Sequence, residues 1–382
     1  MNWDLITAVI FYSVVAILIY KYRRKFEIMQ KIFIVHKTQK GLDLMRKLSK
    51  FTTFWKVFST IAIPVCVFCI FFVGKLLYEN MIEIMRGTAT AGVGILIPGV
   101  QIPGSPIFVP FWPGIIAIAV LAIVHEFGHG IVAAMEGIKL KATGFGFLAI
   151  LPLAFVELDE EQMATMPTLS RLRILAAGAF SNITLWLVLS IVMLYTFVPI
   201  INGITVNDGL NLTLVESGRP AEFAGLTAGE MILAINNNSV LTIPAFIDSF
   251  TEVAPGDTVY IETDKGSYEI ETTTHPQDES RAYVGISVSA VTSIAEPVRA
   301  KYGVLVDVFM WFFEVFHWVA LLNLLVGIMN FLPIWALDGG RIVYDLLGYV
   351  IPKGRILNLI VTGIFALFLT LIIMNLIGPA IF

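Results

Sequence analysis

The sequence predicts a multi-pass α-helical membrane protein of about six spans, with a re-entrant β-hairpin and an extracytoplasmic α/β domain. Of the 382 residues, 57% are hydrophobic and only 14% are charged, whereas an ordinary soluble domain has about 25% charged residues. The apolar residues form six blocks of roughly 18–27 residues, long enough to cross a bilayer as a helix. These candidate spans lie at about 3–20, 54–78, 113–136, 174–200, 306–332 and 356–378.

The charged residues indicate which side of the membrane each loop faces. Segment 21–56 holds 11 of the 25 basic residues and only two acidic ones. A nucleic-acid patch has this composition too, but the positive-inside rule explains it more simply, and we expect no nucleic-acid partner. The loops 21–53, 137–173 and 333–355 are therefore placed in the cytoplasm. The segment 201–305, with 14 acidic and five basic residues, is placed outside.

These assignments divide the chain into four parts. Two N-terminal spans with their basic cytoplasmic loop make up 1–80. A membrane core follows in two halves, 81–200 and 300–382, and the polar domain at 206–292 is inserted between them. We expect the protein in the cell membrane, where its partner is the lipid bilayer itself.

Two apolar segments contain too many helix breakers to be straight spans. Residues 140–158 include Gly144, Gly146 and Pro152. Irregular backbone at membrane depth is tolerated only against protein or water, so we expect a β-hairpin that dips in from the cytoplasmic side and lines a cavity. A plain interfacial loop is the alternative. Residues 87–112 are rich in Gly and Pro, which predicts strands or a re-entrant cover on the outer side.

The polar segment reads as a small α/β domain. VYIETD and YEIETTT alternate with period two, as half-buried strands do, and Lys265-Gly266 between them is a hairpin-turn signal. One pattern runs through Gly218 to Ala221, Ala224 to Leu226, Gly229-Glu230 and Ile235-Asn236. It resembles a bacterial-type PDZ domain, with Arg219 where that pattern usually has Ser and Glu230 where it usually has Asp. The resemblance implies docking of a peptide beside a sheet edge. A structural lid without a ligand is the alternative.

The third apolar block contains HEFGH, an H-E-x-x-H motif. His125 and His129 are four residues apart, so a helix presents both on one face, where they can hold one Zn²⁺ at about 2.1 Å. Glu126 follows the first histidine and can take a proton from an attacking water. Two histidines bonded to neighbouring helices are the alternative, but three ionisable groups on one turn of a span need a stronger reason.

Zinc in a catalytic site needs a third protein ligand. The candidates are His36, His275, His317, Glu314 and Asp338. Asp338 follows a break in NFLPIWALDGG that can direct its carboxylate back into the helix bundle. Its alternative role is the N-cap of the next helix.

Together, the two motifs resemble the site-2 protease family of intramembrane zinc metalloproteases. That family pairs H-E-x-x-H on one span with an N-x-x-P-x-x-x-x-D-G element on a later span. The resemblance covers about 113–378 and implies that His125, His129 and Asp338 bind one zinc. It implies that Glu126 activates water and that Asn330 bonds the substrate carbonyl or its oxyanion, although a helix–helix hydrogen bond is the alternative for Asn330.

The segment LAAGAFSNITLWL resembles a further element of that family, A-G-x-x-x-N, at Ala177, Gly178 and Asn182. Because Asn182 lies on a face of small residues, we interpret it as a helix-packing residue.

The function indicated is cleavage of transmembrane segments in membrane-anchored proteins, with the zinc toward the cytoplasmic side. A non-catalytic zinc-containing receptor that binds peptides through the PDZ-like domain is the alternative, and a metal transporter is a third reading. Glu126 favours the protease, because neither a structural zinc site nor a transport path needs a general base.

Overall fold

The computed structural model describes residues 3–29, 33–87, 92–94, 96–100, 102, 108–148, 151–276, 278–378 and 381. The helices are α1 Trp3–Lys21, α2 Leu42–Leu48, α3 Thr52–Met85, α4 Phe111–Met135, α5 Glu160–Thr165, α6 Thr168–Val192, α7 Val198–Ile204, α8 Pro220–Phe223, α9 Ile243–Ser249, α10 Glu296–Tyr302, α11 Val304–Asn330, α12 Asp338–Leu347 and α13 Arg355–Ile377. A 3-10 turn lies at Arg23–Lys25, and a π-helical turn at Met193–Phe197 joins α6 to α7.

The strands are β1 Glu27–Met29, β2 Phe33–Thr38, β3 Leu140–Leu148, β4 Leu151–Leu158, β5 Thr205–Val215, β6 Met231–Ile235, β7 Asn238–Ser239, β8 Thr258–Thr263, β9 Ser267–Glu271, β10 Thr273–His275, β11 Asp278–Tyr283 and β12 Ile286–Ile294. The chain divides into two compact units. The first contains residues 1–194 and 310–382, and the second contains 195–309.

Five helical segments of the described chain are long and apolar enough to cross a membrane. They are Thr52–Met85, Phe111–Met135, Thr168–Ile204, Val304–Asn330 and Arg355–Ile377. Each coincides with one of the six predicted spans. The apolar part of α1, Ile6–Lys21, is shorter, so the count of six stays a prediction. Of the segment 87–112, for which strands or a re-entrant cover were predicted, 11 residues lie outside the described ones, and the described residues before Phe111 form turns, bends and coil rather than strands.

Helix α4 lies at the centre of the first unit. Its residues Ile131, Val132 and Ala133 are buried against Leu42 and Met45 of α2. On another side α4 packs against α6, and α1 reaches its N-terminal end, where the Trp112 indole donates a hydrogen bond to the Thr7 hydroxyl. The basic segment that the sequence assigned only to a loop therefore supplies part of the packing around the H-E-x-x-H helix.

A four-stranded antiparallel sheet in the order β1-β2-β3-β4 covers one flank of α4. The hairpin expected at 140–158 is present as β3 and β4, and its entry into the bilayer stays a prediction. Two further strands come from the basic segment: β2 pairs with β3, with Lys37 opposite Gly144 and Val35 opposite Gly146, and β1 pairs with β2. A Cβ at Gly146 would collide with the Ile34 carbonyl oxygen. The glycines thus permit close strand contact, and β4 is left as the free edge beside α4.

The second unit contains a six-stranded antiparallel sheet, a two-stranded sheet of β10 and β11, and the short helices α7, α8, α9 and α10. Five strands follow the order β12-β5-β6-β8-β9, and β7 pairs with β6. Strands β8 and β9 are a hairpin that turns at Asp264–Gly266, which confirms the turn signal in the sequence. The core consists of buried aliphatic side chains from the sheet and its flanking segments, among them Leu210, Ile232, Ile261 and Ile270. The unit agrees with the expected α/β domain.

Glu230 is a buried carboxylate at the start of β6, with 1% of its surface exposed. Its oxygens accept hydrogen bonds from the Thr227 backbone N–H and hydroxyl, at 2.9 and 2.7 Å, and from the Thr263 hydroxyl at 2.8 Å. Burial acts to raise its pKa, but the hydrogen bonds from Thr227, Thr263 and Tyr268 outweigh burial and lower the pKa below the ordinary glutamate value. The carboxylate therefore links the turn before β6 to strand β8 through hydrogen bonds.

We predict that Glu230→Gln destabilises the second unit by about 1–3 kcal/mol at neutral pH, because buried donors lose a charged acceptor. A lowered folded-state pKa stabilises the fold above the unfolded pKa, and this stabilisation is lost as the pH falls toward the folded value. The wild-type unit should therefore weaken more than the variant on acidification. Hydrogen exchange of β6 and β8 in the whole protein, from pH 7 to pH 4, measures both effects.

Glu262→Gln is the matched control, because Glu262 is exposed on the neighbouring strand β8. It should leave the exchange rates and their pH dependence near those of the wild type. Equal behaviour of the two variants would contradict the structural role of Glu230.

Candidate active site

The H-E-x-x-H motif lies in the second half of α4, as the sequence predicts. An unbroken helix places His125 and His129 one turn apart on the same face. Their Nε2 atoms are 3.1 Å apart, and the two rings stand nearly perpendicular, at 82°. Only 14% and 12% of the two side chains are exposed. Two buried nitrogens are therefore directed at one point.

Asp338 reaches the same point from a distant part of the chain. Helix α11 ends at Asn330, and α12 begins at Asp338. Leu337 occupies the N-cap position of α12 and makes no side-chain cap, so Asp338 does not serve as the cap. Asp338 Oδ2 lies 3.2 Å from His125 Nε2 and 3.1 Å from His129 Nε2. Gly339 permits this turn, because a Cβ there would collide with the Phe331 carbonyl oxygen.

The geometry of the three ligand atoms fits zinc. Tetrahedral ligands about 2.0–2.1 Å from the ion lie roughly 3.3 Å from one another, and the spacings here are 3.1, 3.1 and 3.2 Å. The Nδ1–H of His129 donates to the Ile174 carbonyl oxygen at 2.7 Å. That bond keeps the proton on Nδ1, so Nε2 retains the lone pair that a metal requires.

The other candidate ligands lie elsewhere. His36 contacts the rings of Phe26 and Phe145 in the sheet, and His317 contacts Phe313 and Trp318 on α11. His275 belongs to the second unit. Among the described residues, Asp338 joins the two α4 histidines in one group of possible metal ligands, and Glu314 is not part of that group.

Glu126 is turned toward the sheet. Its Oε2 accepts a hydrogen bond from the Val156 backbone N–H on β4, at 2.9 Å. N–H groups of an antiparallel strand point alternately to its two sides. The backbone nitrogens of Val156, Ala154 and Pro152 therefore all point away from β3. Pro152 has no N–H to donate, and an outward position on an edge strand is where proline is tolerated. The free edge of β4 therefore faces the histidine helix.

A cavity of about 1280 Å³ opens between α4 and β4. Its lining includes Glu126, His129, Asp338 and every residue of β4. Charged side chains also line it, namely Lys37, Lys141, Glu157, Glu160, Glu161, Arg171 and Arg341. The candidate metal ligands His129 and Asp338 thus border a cavity whose lining is partly apolar and partly charged.

The two asparagines singled out in the sequence lie in different surroundings. The Asn330 amide donates to the Val326 carbonyl oxygen of its own helix at 3.0 Å, and its described contacts do not join it to the metal cluster. Asn182 is fully buried, and its amide lies 3.4 Å from His125 Nδ1. The structure therefore places the residue interpreted as packing beside a candidate ligand.

An ion pair that the sequence did not reveal holds α12 against α6. Arg171 Nη2 and Nε lie 2.6 and 2.9 Å from the two carboxylate oxygens of Asp345, so the pair is bidentate. Only 12% and 10% of the two side chains are exposed. Asp345 lies two turns beyond Asp338 on α12, and Arg171 lies one turn before Ile174 on α6. The pair therefore fixes the helix that carries the candidate third ligand.

We predict that Arg171→Leu destabilises the protein by about 3–5 kcal/mol, because it leaves the Asp345 carboxylate buried without a partner. Metal affinity should fall as well, since α12 loses its anchor. Thermal unfolding in detergent and competition with a chelator measure these effects.

Combining Arg171→Leu with Asp345→Leu should restore most of the stability, because no buried charge is then unpaired. Arg46→Leu, which breaks the exposed Arg46–Asp43 pair, should change the stability by less than about 1 kcal/mol. If Arg171→Leu behaved like Arg46→Leu, the anchoring role would be wrong.

Comparison with known proteins supports the assignment that this geometry suggests. An uncharacterized protein of Methanocaldococcus jannaschii is 28% identical over 310 residues, covering 81% of this chain and 76% of that protein. A Clostridium perfringens protein, provisionally named a zinc metalloprotease, is 26% identical over 63% of this chain and 88% of its own length. A site-2 protease homolog of Arabidopsis thaliana is 25% identical over 38% of this chain and 30% of its length.

The sequence pattern of Peptidase family M50 matches residues 113–375, which is more than half of the chain. The matched region contains all but the first two residues of α4, with its two histidines, and the turn that carries Asp338. The family also implies zinc, which the three ligand atoms fit. The chain therefore belongs to peptidase family M50 and is a zinc metalloprotease of the site-2 protease type.

Proposed function

We propose that this metalloprotease is an intramembrane endopeptidase that cleaves transmembrane segments of membrane-anchored proteins. One observation carries the proposal. The cluster of His125, His129 and Asp338 lies among apolar helices of spanning length and opens into a cavity bordered by the free edge of β4. This arrangement offers a place for an extended peptide directly beside the candidate zinc ligands.

In this proposal, His125, His129 and Asp338 hold one zinc ion per chain. Bound zinc supplies Lewis acidity, which acidifies water and polarises a peptide carbonyl. Glu126 takes a proton from the attacking water and delivers it to the leaving amine. Asn330 is assigned to the substrate carbonyl or its oxyanion. One N–H of its amide donates to the Val326 carbonyl at 3.0 Å, and the second N–H is the donor that this role requires.

The substrate must unwind before it is cut, because a transmembrane helix uses its own amides in its internal hydrogen bonds. The free edge of β4 can bind the unwound stretch by strand addition, in which main-chain hydrogen bonds hold a peptide of varied sequence. Ala154 directs its N–H and C=O to this edge, and the side chains around it are largely apolar. The substrates are therefore membrane proteins or transmembrane peptides.

The sidedness follows from the basic loops. We assign the zinc ligands to the cytoplasmic half of the membrane and the domain at 206–292 to the outside. The two halves of the membrane core, 81–200 and 300–382, and the N-terminal part, 1–80, hold the spans. The outer domain would act as a size filter or as a dock for a peptide of the substrate. Regulated intramembrane proteolysis and the clearance of remnant peptides both fit this arrangement.

We predict that Glu126→Gln abolishes cleavage of a detergent-solubilised single-span substrate, with a loss of at least about 100-fold, because glutamine cannot accept the proton. Zinc content should stay at the wild-type level. Mass spectrometry of the products and metal analysis of the same samples measure the two quantities. Equal cleavage by both proteins would contradict the role of Glu126, and no cleavage by the wild type on a panel of single-span peptides would contradict intramembrane cleavage and favour the receptor reading.

We also predict that Ala154→Pro lowers turnover of a transmembrane substrate roughly tenfold or more and leaves zinc content intact. Proline removes one outward N–H from β4 without removing a bond to β3, as Pro152 already does two residues earlier. Ala154→Val is the matched control, because valine keeps the N–H and suits a strand. Full turnover by Ala154→Pro would show that the substrate does not pair with this edge.

A further inference from the structure

One face of α6 supports the two histidine rings of α4. The Ile174 carbonyl oxygen accepts from His129 Nδ1–H, and Asn182, two turns further along, lies beside His125 Nδ1. Gly178 lies between them, and a Cβ there would collide with the His129 ring. One histidine therefore has a clear acceptor for its Nδ1 proton, while the other faces a side-chain amide that can present either a donor or an acceptor.

The orientation of the Asn182 amide decides which tautomer His125 adopts. With Nδ2 toward the ring, as at the 3.4 Å contact, His125 Nδ1 must be the acceptor, so the ring proton resides on Nε2. A protonated Nε2 has no lone pair for a metal. With Oδ1 toward the ring, Nδ1–H is the donor, and Nε2 is free to bind.

The hydrogen bonds of the amide itself do not favour the first orientation. Oδ1 of Asn182 is buried and has no partner in the described structure. A half-turn about the last side-chain bond brings this oxygen to Nδ1 and leaves the amide nitrogen where the oxygen was. One buried group lacks a partner in either case, at a similar penalty of about 1–3 kcal/mol. The requirement of the metal for Nε2 therefore decides the orientation.

We infer that Asn182 is a positioning residue that accepts the Nδ1 proton of His125 through Oδ1 and so directs Nε2 to the zinc. The inference rests on the proposed role of His125 as a zinc ligand. Asn182 then does for His125 what the Ile174 carbonyl does for His129, and α6 sets the tautomer of both rings. Partners of this kind change metal affinity by about 10–100-fold when they are removed.

The alternative role for Asn182 is helix packing. Its Cβ is 3.2 Å from the position that a Cβ on Gly327 of α11 would occupy, so it does lie at a close helix contact. Packing depends on side-chain size, whereas tautomer control depends on an acceptor. Leucine has the same number of side-chain heavy atoms as asparagine, branched at the same carbon, without a polar group, and aspartate provides acceptor oxygens without a donor. These two substitutions separate the two roles.

The test measures zinc dissociation constants by chelator competition on purified full-length protein. Asn182→Leu should weaken zinc binding 10–100-fold, and Asn182→Asp should bind zinc within about threefold of the wild type or more tightly. Asn323→Leu is the matched control, because Asn323 is also fully buried but donates to the Val319 carbonyl of its own helix. It should leave zinc affinity unchanged.

The visible spectrum of the cobalt-substituted proteins gives a second measurement. The intensity of the cobalt bands should decrease in Asn182→Leu and stay at the wild-type level in Asn182→Asp. If Asn182→Leu does not fold, Asn182→Ala replaces it in both measurements.

Wild-type zinc affinity in Asn182→Leu would overturn the inference, as would equal weakening by leucine and aspartate, which would mean that the amide acts as a donor. Failure of the wild type itself to bind zinc would contradict the proposed function instead. The two failures are therefore distinguishable.

Discussion

Helix α4 approaches helix α6 so closely that glycine is required on both sides of the contact. A Cβ at Gly128 would lie 2.5 Å from the Ser181 hydroxyl and 2.7 Å from the Ala177 carbonyl oxygen, and a Cβ at Gly178 would collide with the His129 ring. Small residues allow such approach between apolar helices, where the hydrophobic effect gives no preference for one partner over another. This contact brings the backbone of α6 within hydrogen-bond reach of the histidines, and the candidate metal site depends on it.

The position of the candidate third ligand, Asp338, depends on different contacts. The chain between α11 and α12 folds back tightly, with Gly339 and Gly340 against the carbonyls of Phe331 and Ile334. The Arg171–Asp345 ion pair then joins α12 to the same helix, α6, that supports the histidine rings. One helix therefore positions side chains that are more than 200 residues apart in sequence. The rigidity of the candidate metal site therefore depends on how firmly α6 is packed.

The sequence predicted the parts that have local signals and missed those that depend on contacts between distant segments. The H-E-x-x-H spacing, the break before Asp338, the apolar blocks and the Lys265-Gly266 turn are all visible in short windows. The strands β1 and β2 were not visible, because β2 pairs with β3 across about 110 positions of sequence and β1 joins the sheet only through β2. The Arg171–Asp345 pair and the Val156 N–H have no sequence signature, since any residue but proline offers a backbone amide.

The hydrogen bond between Val156 and Glu126 has a consequence for the order of events in the cavity. A single N–H cannot fully satisfy two acceptors, and a peptide that pairs with β4 at Val156 needs this N–H for its own carbonyl. Binding of the peptide would therefore displace the Glu126 carboxylate from the strand and leave it able to accept a proton. Such an arrangement would keep the proposed general base, Glu126, bound to the strand until a peptide pairs with β4, so that the pairing that delivers the bond to be cut would also free the carboxylate.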